Sequence, residues 1–392
     1  MAQHRGHNEG TISKRVITRK DGTKVTRYMA LMPADSSGKR PSVGSFGTIR
    51  EAREALASGK LAQAQGMVVT GKVPTVKEWC EQWSADRPRI GYATRRGYRV
   101  SLDTVYAYIG LIRLTDLTEQ HIAAMWSKLE RGIAADGSSV PPLALTTIQK
   151  HHTRLKAALN AAVASRHVQL TYNPAKSEQA RPGKGARKQI NPLSEDEARA
   201  FMAAVANTPD AALFTTLLTT GMRLGEAQAL RWCDVDLDRS TVGIRQSIHF
   251  ETGTGWVAGE TKTGRSRLVS IPPGTVAALR KQRARQNEMR LAAGPTWQDN
   301  DYVFTRADGR PLPAVHIRNA MVRACDAAGI ARRSVKELRH TYATLALTRN
   351  VPLKVVSEAL GHASVAITAD TYSHVTIGLQ ASYMSHLEAL FS

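Results

Sequence analysis

Residues 336–345 constrain the fold most. Leu338, Tyr342 and Leu345 recur at i, i+4 and i+7, which predicts a helix with one face set into a core. Lys336 and Arg339 are three apart and share a neighbouring face of that helix. The fold must therefore place two cations at the margin of packed apolar side chains. Taken alone, such a pair usually marks a solvated basic edge, so its meaning depends on what the rest of the chain brings beside it.

Four other segments supply that context. In Thr219-Thr220-Gly221-Met222-Arg223-Leu224-Gly225-Glu226, Arg223 lies between two glycines that allow close backbone approach. Thr261-Lys262-Thr263-Gly264-Arg265-Ser266-Arg267 predicts a tight turn into a strand over 268–271. Leu360-Gly361-His362 and Thr371-Tyr372 follow the helix. Read in order, Arg, Lys, Lys-x-x-Arg, His and Tyr form a set of phosphate-binding and proton-transfer groups ending in a phenol. This order, over about residues 190 to 375, resembles the tyrosine recombinase (integrase) family. That family has Arg in a Thr-Gly-x-Arg-x-x-Glu context, a hairpin Lys, a His-x-x-Arg-His box, a Leu-Gly-His box and a nucleophilic Tyr about ten positions further on. Arg223, Lys262, Arg339, His362 and Tyr372 match it, and Lys336 stands where the box begins with His.

The resemblance implies an enzyme that cuts and rejoins DNA through a 3′-phosphotyrosine. Planar guanidinium groups match the paired oxygens of a phosphodiester, which suits Arg223 and Arg339 to a clamp. Tyr372 would be the nucleophile, Lys262 the acid for the leaving 5′ oxygen, His362 a phosphate contact and Glu226 a support for its neighbours. An ammonium has no lone pair while charged, so Lys336 is expected to act as an electrostatic contact. Arg265, Arg267 and His340 are weaker candidates, with His340 equally readable as a buried hydrogen-bonding side chain. No cofactor or metal is expected. Integration of a phage or mobile element, with excision through a partner, is the leading function. Dimer resolution and topoisomerase-like nicking and joining are the alternatives, and a non-catalytic DNA-binding protein is a third.

Composition agrees with a polyanionic partner, because the chain carries a formal net charge of +21. Charge alone does not separate nucleic acid from an anionic membrane. The sequence shows no apolar run of spanning length and no secretory h-region, so the expectation is a cytoplasmic, nucleoid-associated protein. Cys80, Cys233 and Cys325 are too few and too scattered for a disulfide framework and read as three buried thiols.

The predicted fold class is α+β multidomain. Residues 1–66 give a small three-stranded sheet, turning at Asp21-Gly22, plus a helix with a Thr48/Glu51 capping box. This resembles an arm-type DNA-binding domain, with Lys14, Arg15, Arg19, Lys20 and Arg27 toward DNA; a merely basic cap is the alternative. Residues 74–175 form an all-α core-binding domain whose Trp79, Trp83, Leu102 and Val105 stripes read as core. Arg95, Arg96, Arg99, Lys150 and Arg154 give it a basic side. Residues 176–192, with Lys184, Arg187 and Lys188, read as a flexible charged linker crossing the DNA backbone. Residues 193–392 form a mainly α catalytic domain with a small antiparallel sheet, opened by a capping box at Ser194. One strand is expected over 240–250. By resemblance, four protomers assemble on two duplexes, helped by an excisionase and a DNA-bending host factor, and the segment after Tyr372 docks on a neighbour or on its own domain.

Overall fold

The computed structural model describes residues 9–18, 22–34, 38, 40–64, 73–87, 90–165, 170–186, 190–251, 253–260, 264, 266–373, 384 and 388. The chain divides into two compact units, Met1–Lys188 and Gln189–Ser392. Lys262, Arg19, Lys20, Asp21, Arg187, Lys188 and Arg265 lie outside the described residues, as does nearly all of the segment after Tyr372.

The first unit opens with β1 (Thr11–Thr18), β2 (Lys24–Leu31) and β3 (Ser42–Phe46), an antiparallel sheet in that order. Helix α1 (Ile49–Ala64) packs on it around Met32, Val43 and Leu56. Glu51 N–H donates to Thr48 Oγ1 at 3.2 Å and Glu51 Oε2 accepts from Thr48 N at 3.3 Å, closing the expected box. Four helices follow: α2 (Val76–Ala85), α3 (Tyr92–Ile109), α4 (Glu119–Arg131) and α5 (Leu145–Ala164). Trp79, Trp83, Leu102, Val105, Met125 and Leu155 meet in their core.

Two expectations for this unit change. Residues 176–186 do not run free: Ala180 is fully buried, the Trp126 indole donates to its carbonyl at 3.1 Å, and Gln149 donates to Gly183 O at 2.8 Å. A small apolar side chain and two well-placed carbonyls outweigh the charged composition there. Arg154, expected to face DNA, donates from Nη1 to Gly97 O at 2.6 Å and to Ser101 Oγ. Through Nη1 it ties α5 to α3.

The second unit starts with α6 (Glu195–Val205), capped by Ser194 and Glu197 as expected, then α7 (Ala211–Thr220) and α8 (Leu224–Ala229). The strand expected over 240–250 breaks at Arg245. Its halves, β5 (Thr241–Ile244) and β6 (Gln246–Glu251), pair in different sheets: β5 between β4 (Val235–Asp236) and β8 (Arg267–Ser270), β6 with β7 (Gly255–Glu260). Helices α9 (Pro273–Ala293), α10 (Ala314–Ala327), α11 (Val335–Thr348), α12 (Leu353–Leu360) and α13 (Val365–Thr371) complete it. Phe201, Phe214, Val242, Leu279, Ile317 and Leu338 share the main core, while Ala343, Leu347, Val356, Leu360 and Tyr372 form a second one. Cys80 and Cys325 are buried but Cys233 is exposed, against the expectation of three buried thiols. No helix among the described residues is long and apolar enough to cross a membrane.

Candidate active site

Helix α11 is the axis of the site. Leu338 is fully buried as its spacing requires, and Glu337 reaches back to cap Ser334, the helix start. The next residues, Arg339, His340 and Thr341, are buried as well, so the helix presents polar groups to the interior on a second face. Lys336, one turn before His340, remains exposed.

Arg339 Nη1 donates to Gly221 O at 2.8 Å, whereas Nη2 is buried and has no hydrogen-bond partner among the described residues. Gly221 ends α7 in the left-handed region at φ 61°, and a Cβ there would lie 2.5 Å from Tyr342 Cδ1 and 2.9 Å from Leu360 Cδ2. That bend also delivers Arg223 to the head of α8. Gly221→Ala is expected to cost about 1–3 kcal/mol through backbone strain and overpacking. Urea unfolding of the protein measures it; an unchanged midpoint would remove Gly221 as the reason these two arginines meet.

Glu226 holds the cations together. Its carboxylate accepts from Arg223 Nη1 at 2.7 Å, from Arg223 N at 2.8 Å and from Arg267 Nη2 at 2.7 Å, with its own side chain fully buried. Burial alone would raise its pKa, but the hydrogen bond and charge of Arg267, with the Arg223 bonds, carry it below the ordinary value. Arg267 also donates from Nε to Ala359 O at 2.6 Å, and Arg223 Nη2 reaches Gly361 O at 3.5 Å. Arg223 and Arg267 thus bond one carboxylate with Arg339 in its field, leaving a local excess of two positive charges beside a guanidinium nitrogen that has no partner among the described residues. The arrangement is suited to a dianionic or bridging phosphate. Burial, then the neighbouring Arg223, lowers the Arg339 pKa to about 10.

Past α12, Gly361 turns the chain at φ 66° and His362 Nδ1 meets Thr368 Oγ1 of α13 at 2.7 Å. Tyr372 caps α13 and is 1% exposed, with its hydroxyl 2.8 Å from His340 Nδ1. Burial raises the phenol pKa to about 12, although Arg339 lies near enough to pull it back. The structure therefore gathers Arg223, Glu226, Arg339, His362 and Tyr372, with Lys336 on the rim. Arg267 and His340, weaker candidates in the sequence, sit inside the site. Their cue was adjacency alone: Arg267 closes the Lys262 turn and His340 follows Arg339.

The histidines carry a pH signature. His340 is held at about 4 by burial, then by the charges of Lys336 and Arg339; His362 is held at about 4 by burial, then by Arg339, Arg223 and Arg267. In the first unit, burial lowers His152 to about 4 and also lowers His151. Each folded-state value lies below the ordinary 6.5, so the unfolded chain binds protons first as pH falls. Stability from this source is complete above about pH 6.5 and is lost toward about pH 4, with the Glu226 contribution lost below its ordinary 4.5. Calorimetry should show both units melting at lower temperature at about pH 5 than at about pH 7.5; transitions that rise on acidification would contradict the assignment.

A family model described as the phage integrase family matches residues 191–377. An integrase of Streptomyces ambofaciens is 30% identical over 355 residues, covering 86% of this chain and 86% of that one. A tyrosine recombinase XerC-like protein of Caldanaerobacter subterraneus subsp. tengcongensis is 30% identical over 261 residues, covering 62% of this chain and 66% of that one. Among solved structures, the Tn1549 transposon integrase in complex with transposon right end DNA shares the fold at a TM-score of 0.67 and 18% identity, covering 80% of this chain and 99% of that one. A lambda integrase dimer bound to a COC′ core site does so at 0.53 and 18%, covering 91% and 93%.

Proposed function

Because this chain belongs to the phage integrase family of tyrosine recombinases, enzymes that cleave and rejoin DNA at specific sites, we propose that it integrates a phage or related mobile element and, with a partner, excises it. Arg223 and the free Nη2 of Arg339 grip the scissile phosphate, His362 adds a hydrogen bond, and Tyr372 attacks phosphorus to leave a 3′-phosphotyrosine. Lys262 protonates the departing 5′ oxygen, and Lys336 attracts the DNA backbone. Glu226 and Arg267 position the clamp without touching substrate. The observation that carries this reading is a buried carboxylate bonded to the guanidiniums of Arg223 and Arg267, with Arg339 and a sequestered phenol beside them.

The integrase role is favoured by the small N-terminal sheet. Arg15 and Arg27 are direct cross-strand partners there, and like charges so placed repel unless an anion lies between them. A DNA phosphodiester backbone would relieve that repulsion, while Lys14 points to the opposite face of the sheet. Arg95, Arg96, Arg99, Lys150 and Lys184 would make the corresponding contacts from the helical part. On this reading the domains are 1–66, 74–175 and 193–392, four protomers act on two duplexes in the bacterial cytoplasm, and an excisionase and a bending protein set direction. The likeness to the XerC-like protein supports dimer resolution as a second reading.

A suicide substrate built on candidate attachment DNA tests the proposal. Wild-type protein should form an adduct stable to denaturing electrophoresis, linked to the 3′ side of the nick. Linkage to the 5′ side, or no adduct, would refute it. Relaxation of a plasmid lacking any cognate site would favour a topoisomerase-like role.

A further inference from the structure

We propose that His340 is the general base of the reaction, taking the Tyr372 proton during cleavage and returning it during rejoining. The inference rests on the recombinase reading above and names the residue that replaces the missing first histidine of the box.

The geometry is direct. His340 Nδ1 lies 2.8 Å from the Tyr372 hydroxyl, within the reach a proton acceptor requires. The rings are 5.8 Å apart at a 59° tilt, with His340 on α11 and Tyr372 at the end of α13. When the phenol donates, the ring proton sits on Nε2, and that atom is buried with no hydrogen-bond partner among the described residues. Nothing among the described residues anchors the far side of the ring, so its one strong contact is with the nucleophile. Lys336 is exposed, and an ammonium has donors but no acceptor. His362 is committed through Nδ1 to Thr368.

The surroundings support the role. His340 faces Lys336, Glu337 and Arg339 on its own helix, Tyr372 from α13, and His362 from the turn between α12 and α13. Burial and the two cations keep the imidazole neutral, hence in its accepting form. A phosphate seated on Arg339 brings negative charge beside it and offsets those cations. The affinity of His340 for a proton therefore rises when substrate arrives. In the step itself, the Tyr372 Oη–H bond breaks and the proton moves to Nδ1. The oxygen bonds to phosphorus, the bond to the 5′ oxygen breaks, and that oxygen takes a proton from Lys262. Rejoining reverses each transfer.

The test is single-turnover cleavage by His340→Asn, whose amide oxygen accepts the phenol hydrogen bond but cannot keep the proton. DNA binding should persist while adduct formation slows by about 10²- to 10⁴-fold and the acid limb of the pH profile disappears. Placing a more acidic difluorotyrosine at position 372 should recover much of that loss. A 5′-bridging phosphorothiolate, which needs no acid, should rescue Lys262→Ala but not His340→Asn. Cleavage by His340→Asn at the parental rate, or its rescue by the sulfur leaving group, would overturn the proposal. Should that variant fail to fold, the chain with native His340 and difluorotyrosine at 372 decides. An acid limb that stays in place supports a base distinct from the nucleophile, and one that moves with phenol acidity overturns it. Absence of any adduct in the wild type would instead defeat the recombinase reading.

Discussion

Tyr372→Phe is expected to abolish the covalent protein–DNA adduct while DNA binding survives. The ring packs among Ala343, Leu347, Val356 and Leu360, and phenylalanine keeps all of that contact. Only the hydroxyl goes, with its hydrogen bond to His340. The loss of one such bond costs about 1 kcal/mol of stability, far too little to unfold the unit. Because the oxygen that forms the bond to phosphorus is absent, denaturing electrophoresis should show no adduct at any incubation time. Gel-shift affinity for the same DNA should stay close to wild type. An adduct that persists would mean that another side chain attacks.

Glu226→Ala is expected to give the largest loss of stability. The carboxylate is fully buried and bonded to two guanidiniums, and Arg339 lies within their field. Its removal leaves three cations with no buried countercharge, and breaking a buried pair in this way costs about 3–5 kcal/mol. For a unit near 200 residues, each kcal/mol corresponds to about 2–4 °C in Tm, so a fall of about 6–20 °C should appear in calorimetry of the second unit. High concentrations of phosphate should restore part of it, since an anion would then occupy the cluster. A shift below about 1 kcal/mol would show that water already compensates these charges.

Much of the site was legible because its residue types sit in distinctive local contexts. Gly221 and Gly361 mark helix ends where a left-handed residue is needed, Ser194/Glu197 marks a helix start, and Leu338 marks the core, although its stripe partners Tyr342 and Leu345 are only partly buried and pack on different cores. What could not be read depends on contacts between distant segments. His340 and Tyr372 are 32 residues apart, and their meeting requires α13, a seven-residue helix with too short a pattern to announce itself. The Glu226–Arg267 pair spans 41 residues and joins α8 to the first residue of β8, whose sequence says nothing of its partner. Arg154 shows the converse: helical spacing placed it near other cations, yet the rotation of α5 turned its head group toward Gly97 and Ser101. The strand over 240–250 was continuous in propensity, and only the pairing partners divide it at Arg245.

Helix α13 has a consequence of its own. Thr368 and Tyr372, one turn apart, latch it to His362 and His340, so fraying of this single short segment would release both histidines together. The nucleophile is thereby mounted on a piece of chain small enough to unlatch without disturbing the main core. Amide exchange should report one shared opening rate for residues 368 to 372, faster than that of α11. Such a mounting confines any separation of the nucleophile from His340 to a local event, so the reactive pairing can be lost and regained without global rearrangement.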